Sequence, residues 1–370
     1  MLTKTLAFLA AALLVSCGGP TETHDAGLLV IVPEDAGVRL SGEDAGGPPS
    51  GEDAAAGAPF QPDAGSDSGP GVSPPTDPNV VAIVGPAALL EIDGTTVYWG
   101  EEHYDYSWTM FPRVVVKSMP KSGGPQTTLA EFPALVAWSL GVDASNVYIG
   151  SSLRDDECWM PPCSAPMTLR AIPKAGGPLS FIAHCGLRQF ASDDESVFCG
   201  GWIGATEDSP SGILRVRLGG SPVLLNDTLT SVVTISDGDV FFRELGFVMR
   251  MPKTGGEPTS LFAQPLNGGK TIKVESRFVY FDTQQGIYRV PRLGGKPAML
   301  RAGTITSLDA RGGYVFWTEQ HCLGVMRSDG SGERCLETQG NPQSVHVDDT
   351  ALFFIRERDA TTREIVRLTR

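Results

Sequence analysis

From residue 80 onward the chain alternates short apolar runs with polar turns, and the alternation repeats. Seven times a polar, mostly Asp-containing turn leads into a brief aromatic strand. These strands are Val97-Tyr98-Trp99, Val147-Tyr148-Ile149, Val197-Phe198-Cys199, Val240-Phe241-Phe242, Val279-Tyr280-Phe281, Val315-Phe316-Trp317 and Leu352-Phe353-Phe354. After five of them a second strand runs into a Gly-Gly turn, at Gly123, Gly176, Gly219, Gly255 and Gly294; the sixth copy has Ser328 to Gly332 instead. A period of roughly 35–50 residues that holds several short strands predicts a β-propeller. The predicted fold is all-β with seven blades, six being the alternative if one copy is degenerate.

In a propeller each blade is an antiparallel meander of strands A to D, with A nearest the axis. In the first copy A is Leu89 to Ile92, B is Thr96 to Gly100, C is Val114 to Met119 and D is Gln126 to Ala130. The Gly pairs supply the positive-φ positions of a tight C–D hairpin. Pro125, Pro178, Pro222, Pro258 and Pro297 open the outermost strand, where a missing N–H leaves no partner wanting. The seventh copy stops after its C strand, Glu364 to Leu368, whereas Val80 to Val84 stands unassigned before the first A strand. This predicts that Val80 to Val84 becomes the seventh D strand and closes the ring, which removes two open sheet edges.

The first 79 residues have a different composition. Lys4 and the apolar run Leu6 to Val15 have the order of a secretion signal, and that run is too short to span a bilayer. It ends in Leu14-Val15-Ser16-Cys17, which resembles the bacterial lipobox. The resemblance implies a signal peptide over 1–16, lipidation (palmitate among the acyl chains) at Cys17 and anchoring in a membrane. Gly18, being other than Asp, implies the outer membrane. Residues 17–79 are rich in Gly, Pro, Ala and Asp, with Asp-Ala-Gly at Asp25, Asp35, Asp44 and Asp63. Such a stretch has too little apolar surface to order itself and reads as a disordered tether, with an r.m.s. reach of about 45 Å. Calcium binding is disfavoured, because the Asp repeats lack the dense alternating ligands of calcium loops. The expected domains are therefore 1–16, 17–79 and a propeller over 80–370.

Charge divides the same way. The whole chain carries a net −14, and residues 18–79 hold eleven acidic side chains against the single Arg39. The propeller is only mildly acidic and offers no basic face, so no nucleic-acid partner is expected.

Within the propeller, Phe316-Trp317-Thr318-Glu319 followed by Val325-Met326-Arg327-Ser328-Asp329-Gly330-Ser331 resembles the YWTD repeat of low-density-lipoprotein-receptor propellers. Ile287 to Pro291 and Val248 to Pro252 are similar to strand C of that repeat and of TolB-like propellers. Those families are typically six-bladed, and the resemblance carries scaffold residues with no catalytic group.

Strand alternation puts the A–B and C–D turns on one face of the disc and the B–C and D–A connections on the other. Asp93, Asp143, Asp193, Asp237, Asp309 and Asp348 are assigned to A–B turns; Lys121, Lys174, Lys253 and Arg292 are assigned to C–D turns. Because these residues recur with the repeat, they read as turn chemistry and within-blade ion pairs. The other face breaks the repeat. The first three B–C connections are long and carry the candidate binding residues His103, Tyr104, Tyr106, Trp108, Asp155, Asp156, Trp159 and Trp202. Aromatic and acidic side chains on neighbouring loops suit a protein or carbohydrate ligand, or a cationic one.

The six remaining cysteines suggest disulfides Cys158–Cys163, Cys185–Cys199 and Cys322–Cys335, one of 15 possible pairings. A zinc site from Cys158, Cys163, Cys185 and His184 is disfavoured in an oxidising compartment, so no metal or cofactor is expected. The five histidines are scattered, and His346, on an inner strand, reads as a packed core residue. No Gly-x-Ser-x-Gly, His-Glu-x-x-His or phosphate-cradling loop occurs in the propeller. The expected function is a monomeric, non-enzymatic, membrane-anchored binding protein of the cell envelope. The alternatives are a metal-dependent hydrolase of the lactonase type and a structural envelope component. Cys17→Ala is expected to abolish metabolic fatty-acid labelling and leave precursor or soluble protein; persistent labelling would remove the localisation argument.

Overall fold

The computed structural model describes residues 77–370 apart from 104–112, 134–135, 153–166, 186–189 and 203–210 and the single residues 218, 229, 231 and 267. Cys17 and the tether up to residue 76 lie outside the described residues, as do Cys158 and Cys163.

The described chain is a sequence of 28 strands grouped in seven four-stranded antiparallel sheets. The first strand is β1 (Val80–Val84). Blade 1 is β2 (Ala87–Ile92), β3 (Thr96–His103), β4 (Arg113–Pro120) and β5 (Thr127–Pro133). Blade 2 is β6 (Val136–Val142), β7 (Asn146–Ser152), β8 (Met167–Pro173) and β9 (Ser180–His184). Blade 3 follows as β10 (Phe190–Ser192), β11 (Ser196–Trp202), β12 (Ser211–Arg217) and β13 (Pro222–Asn226). In blade 4 the strands are β14 (Val233–Ser236), β15 (Asp239–Glu244), β16 (Phe247–Pro252) and the two-residue β17 (Thr259–Ser260). Blade 5 comprises β18 (Ile272–Val274), β19 (Phe278–Asp282), β20 (Gly286–Pro291) and β21 (Ala298–Ala302). Blade 6 comprises β22 (Ser307–Arg311), β23 (Tyr314–Glu319), β24 (Cys322–Arg327) and β25 (Arg334–Glu337). Blade 7 supplies β26 (Gln343–Val347), β27 (Ala351–Glu357) and β28 (Arg363–Thr369), and its fourth strand is β1.

The ring therefore closes as the repeat arithmetic predicts, with seven blades and an N-terminal strand. Ala82, Ile83 and Val84 pair with Ile365, Glu364 and Arg363, and Val80 with Val366. Beside this clasp Arg356, 6% exposed, gathers Asp77 (2.8 Å), Glu337 (3.1 Å) and Glu364 (2.7 Å). One guanidinium thus ties the incoming chain to the C strand of its own blade and to the last strand of blade 6. The Asn79 amide and then Arg356 hold the Asp77 carboxyl below its ordinary pKa.

There is no single core. The buried side chains form seven clusters, and each lies between two adjacent blades. Trp99, Phe353 and Ile365 fill the 7/1 interface, while Tyr148, Val197 and Cys199 fill 2/3. The aromatic B strands supply the largest fully buried side chains, including Trp99, Tyr148, Phe241, Phe281 and Trp317. Each blade buries its apolar surface only against its neighbours, so closure completes the last interface.

The turn face carries a second layer of blade-to-blade contact, and here the structure corrects the sequence reading. The ion pairs are between blades. Lys174 of blade 2 meets Asp93 of blade 1 at 2.6 Å, and Lys253 of blade 4 meets Asp193 of blade 3 at 2.6 Å. Lys121 of blade 1 pairs with Asp348 of blade 7, and Arg292 of blade 5 with Asp237 of blade 4. Each cation also lies over an aromatic ring of the blade it reaches: Lys174 over Tyr98 at 5.2 Å, Lys253 over Phe198 at 5.8 Å, Lys121 over Phe353 at 5.6 Å and Arg292 over Phe241 at 5.5 Å. Arg370 takes the equivalent position over Phe316 at 5.7 Å. The aspartates divide their oxygens. Oδ1 of Asp93 accepts from the amides of Thr95 and Thr96 and shapes its own turn, while Oδ2 takes Lys174 and the Tyr98 hydroxyl. Gly123 and Gly124, at φ 83° and 131°, allow the tight C–D hairpin that points Lys121 across the interface. Asp309 departs from its assignment: it lies in inner strand β22, and Arg311 takes the turn position.

Deleting Val80 to Val84 is expected to lower the melting temperature far more than truncation within 18–75, since the deletion removes a strand ladder and takes Ala82 and Val84 out of the 7/1 cluster. Equal melting temperatures would contradict the clasp. The ion-pair ring makes a pH-dependent prediction. Burial opposes ionisation of Asp93, but Lys174, the turn amides and Tyr98 outweigh it and hold its carboxyl at about 2, below 3.8. Its contribution is thus complete above the unfolded value and disappears as pH falls through the folded one. The triple variant K121M/K174M/K253M is expected to lose roughly 1 kcal/mol per site at pH 6. Its deficit against the wild type should shrink toward pH 2, as measured by denaturant melts; a pH-independent deficit would contradict the pairing.

Candidate functional site

The strand ends place the irregular connections. The B–C links of blades 4, 5 and 6 run from Glu244 to Phe247, Asp282 to Gly286 and Glu319 to Cys322. Those of blades 1, 2 and 3 run from His103 to Arg113, Ser152 to Met167 and Trp202 to Ser211. The three long links thus leave consecutive blades on the face opposite the ion-pair ring. Tyr104, Tyr106, Trp108, Asp155, Asp156 and Trp159 lie outside the described residues. Trp202 ends β11, with its backbone in register with Ser211.

His103 is held at the base of the first link. Its Nε2 is 3.1 Å from Glu101 Oε2, and Lys117 Nζ donates to the same oxygen at 3.1 Å. Trp99 Nε1 donates to Glu101 Oε1 at 2.7 Å. Glu101 is only 2% exposed, so one buried carboxylate collects a cation, an imidazole and an indole where β3 passes into the link. Alternation along β3 brings Trp99, Glu101 and His103 to the same side of the strand. His103 is therefore an anchoring residue of the link.

The cysteines also resolve in part. Cys185–Cys199 and Cys322–Cys335 are disulfide-bonded, with Cα atoms 6.0 and 5.8 Å apart. Both pairs are those of the sequential pairing: Cys322–Cys335 joins the paired strands β24 and β25, whereas Cys185–Cys199 ties the residue after β9 of blade 2 to β11 of blade 3 and so links two blades. Cys185 is thereby unavailable to the zinc set with His184, because a disulfide sulfur has no thiolate to offer. Among the described residues no three His, Cys, Asp or Glu side chains gather as a metal site.

The sequence reading missed a constellation in the central channel. At the register position opposite the B-strand aromatic, the inner strands carry Glu91, Gly141, Ala191, Thr234, Lys273, Asp309 and His346 in blades 1 to 7. Blades 5, 6, 7 and 1 present Lys273, Asp309, His346 and Glu91. Lys273 Nζ is 3.4 Å from Asp309 Oδ1, and His346 Nδ1 is 3.3 Å from a Glu91 oxygen. Asp309 Oδ2 accepts the Val347 amide at 2.8 Å, which links blades 6 and 7. His346 is thus one member of a polar half-ring, contrary to its reading as a packed core residue. The signal lay in the repeats: stacked at their turns, they put an ionisable residue at one register position in copies 5, 6, 7 and 1.

No family model matches the sequence, and no curated protein does. Solved structures match by shape. The β-propeller domain of the Trilobed protease from Pyrococcus furiosus aligns with a TM-score of 0.55 at 8% identity, covering 77% of this chain and 97% of that one. The Pan2 WD40 domain of Neurospora crassa aligns with a TM-score of 0.53 at 10% identity, covering 78% and 94%. A chain of the mitotic checkpoint complex aligns with 0.53 at 12% identity, covering 82% and 98%. At these identities the likeness is one of fold, and what it establishes is the β-propeller itself.

Proposed function

We propose that this chain is a lipid-anchored, non-enzymatic propeller of the cell envelope that recognises a protein or glycan through the B–C face of blades 1 to 3. The observation that carries the reading is the grouping of all three long B–C connections on consecutive blades, on the face away from the ion-pair ring. A rigid scaffold presenting irregular loops side by side is the usual construction of a recognition surface. The opposite face uses its turn cations on its own blades, which leaves little for a partner.

The loop residues supply suitable chemistry. Tyr104, Tyr106, Trp108 and Trp159 offer flat apolar contact with polar tips, and Asp155 and Asp156 offer acceptors. Disulfides persist in oxidising compartments, so Cys185–Cys199 and Cys322–Cys335 support an address outside the cytoplasm. Cys17 after its short apolar run supports lipid anchoring, and several acyl chains at one cysteine give firm attachment. The acidic, Gly- and Pro-rich segment between anchor and propeller would set the propeller's distance from the membrane.

Replacing Tyr104, Tyr106 and Trp108 with Ala is expected to lower capture of a partner from envelope extract by at least about tenfold, because central interface aromatics carry about 2 kcal/mol or more each. The melting temperature should stay within a few degrees. Variants of Lys121, Lys174 and Lys253 should keep the partner. The reverse pattern would place recognition on the turn face and overturn the proposal.

A further inference from the structure

We infer that Cys185–Cys199 is a redox latch on the 2/3 interface: once it is cut, the ring opens first there, and not at the β1 clasp. The bond ties the residue after β9 of blade 2 to β11 of blade 3, with Cα atoms 6.0 Å apart. Both cysteines belong to the apolar cluster of that interface. Among the described residues no other disulfide joins two blades, since Cys322–Cys335 stays within blade 6.

The same interface lacks the grip that the rim supplies elsewhere. Lys121, Lys174, Lys253 and Arg292 cross the 7/1, 1/2, 3/4 and 4/5 interfaces. Arg289 and Arg370 cross 5/6 and 6/7 to backbone carbonyls. At 2/3, among the described residues, no lysine or arginine side chain crosses. Asp143 stands where Asp93 and Asp193 hold their lysines, yet it has no ion pair there. Its Oδ1 accepts the amides of Ser145 and Asn146, and its Oδ2 accepts the Tyr148 hydroxyl.

A difference in register removes the cation. Pro120, Pro173, Pro252 and Pro291 end their C strands opposite the first residue of B, and a lysine or arginine follows each. In blade 3 Arg217 itself takes that place, opposite Ser196, and the next residue is Leu218. The turn is also one residue shorter. Arg215 pairs with Val223, eight positions on, whereas Ser118 of blade 1 pairs with Thr127, nine on. Only Gly219 of the blade 3 pair, at φ 75°, has a left-handed backbone, where the other four turns use both glycines. Arg217 is exposed, and its side chain has no hydrogen bond or ion pair among the described residues.

What holds 2/3 besides the disulfide is neutral or weak. Ser192 Oγ donates to the Val142 carbonyl at 3.2 Å, and Asp194 accepts the Ala144 amide at 3.3 Å. The Phe190 ring packs where Gly141 and Gly150 leave room for it. The disulfide therefore carries the share of the contact that a cation over a ring and a carboxylate carries at neighbouring interfaces. Each blade is held only by its two neighbours, so the array opens where that holding is least.

The reductant is a dithiol. One of its thiolates attacks a sulfur of the bridge to form a mixed disulfide, and its second thiol displaces that bond. The dithiol leaves as a disulfide, and Cys185 and Cys199 are left as thiols with one proton each. Both sulfurs belong to buried residues, so the attack follows local opening of the interface. The long links from Ser152 to Met167 and from Trp202 to Ser211 stand on the two sides of this interface, and opening it changes their spacing. An effect on partner capture rests on the function proposed above; the opening itself does not.

Hydrogen exchange of the whole protein tests the latch. In C185A/C199A, protected amides of β9, β10 and β11 are expected to exchange roughly 30–1,000-fold faster, the range a cross-link supplies. Those of β1 and β28 should keep their rates. C322A/C335A should leave the 2/3 strands unchanged. Wild type that is folded and then treated with dithiothreitol should open at the same strands, a reading that holds even if the double variant fails to fold. Replacing residues 217–220 of C185A/C199A with Pro-Lys-Ser-Gly-Gly, the blade 1 turn, should restore protection at least about tenfold by returning a lysine opposite Asp143. Faster exchange spread evenly over all blades, opening at β1 and β28 first, or no rescue by the restored lysine would overturn the inference. Opening confined to 2/3 with unchanged partner capture would support the latch and count against the loop-face reading.

Discussion

The structure depends on how one blade grips the next. The C–D turns of blades 1, 2, 4 and 5 each send a cation back over the aromatic ring of the preceding blade and onto a carboxylate of its A–B turn, as Lys174 does with Tyr98 and Asp93. The contact asks three things of every repeat: an Asp whose two oxygens serve different blades, a ring on the B strand, and a Gly-Gly turn that aims the lysine. Those are the features that recur in the sequence. Beneath this polar rim, the B-strand aromatics form the apolar clusters between blades. Polar rim and apolar interior select the same neighbour at the same register, and such agreement between levels specifies one fold.

Because no blade is stable by itself, the ends of the array need special treatment. Blade 7 takes its outer strand from the beginning of the propeller, and Arg356 locks that junction with three carboxylates. The chain end repeats the rim device in modified form: Arg370 stands over Phe316 and donates to the Arg311 carbonyl where other blades find an aspartate. At the 5/6 interface, where Ser328 replaces the lysine, Arg289 of blade 5 reaches the Ser328 carbonyl instead. At these two interfaces the grip is kept in altered form.

The fold was legible for this physical reason. Seven copies of a polar turn leading into an aromatic strand, most of them followed by a glycine turn, fix blade number and strand order, and the missing last strand of the seventh copy points to the clasp. Partner choice within the rim was not legible. Lys121 and Asp93 belong to one repeat, and nothing in the linear order says that Lys121 reaches back to Asp348, at the far end of the chain. The channel half-ring was hidden for a related reason. Lys273, Asp309, His346 and Glu91 are far apart in sequence and belong to no motif, and closure alone brings them to one level. Asp309 was misassigned because its turn is Arg311-Gly312-Gly313, which contains no Asp.

Where the repeat holds, the residues build the ring; where it fails, on the B–C side of blades 1 to 3, they are free to do something else. That division is the central claim, and site-specific photocrosslinking in intact cells tests it most directly. A photoreactive residue at Trp108 should trap a discrete adduct, whereas the same residue at Ser122, on the turn face of the same blade, should trap none. Adducts from Ser122 with none from Trp108 would contradict the account.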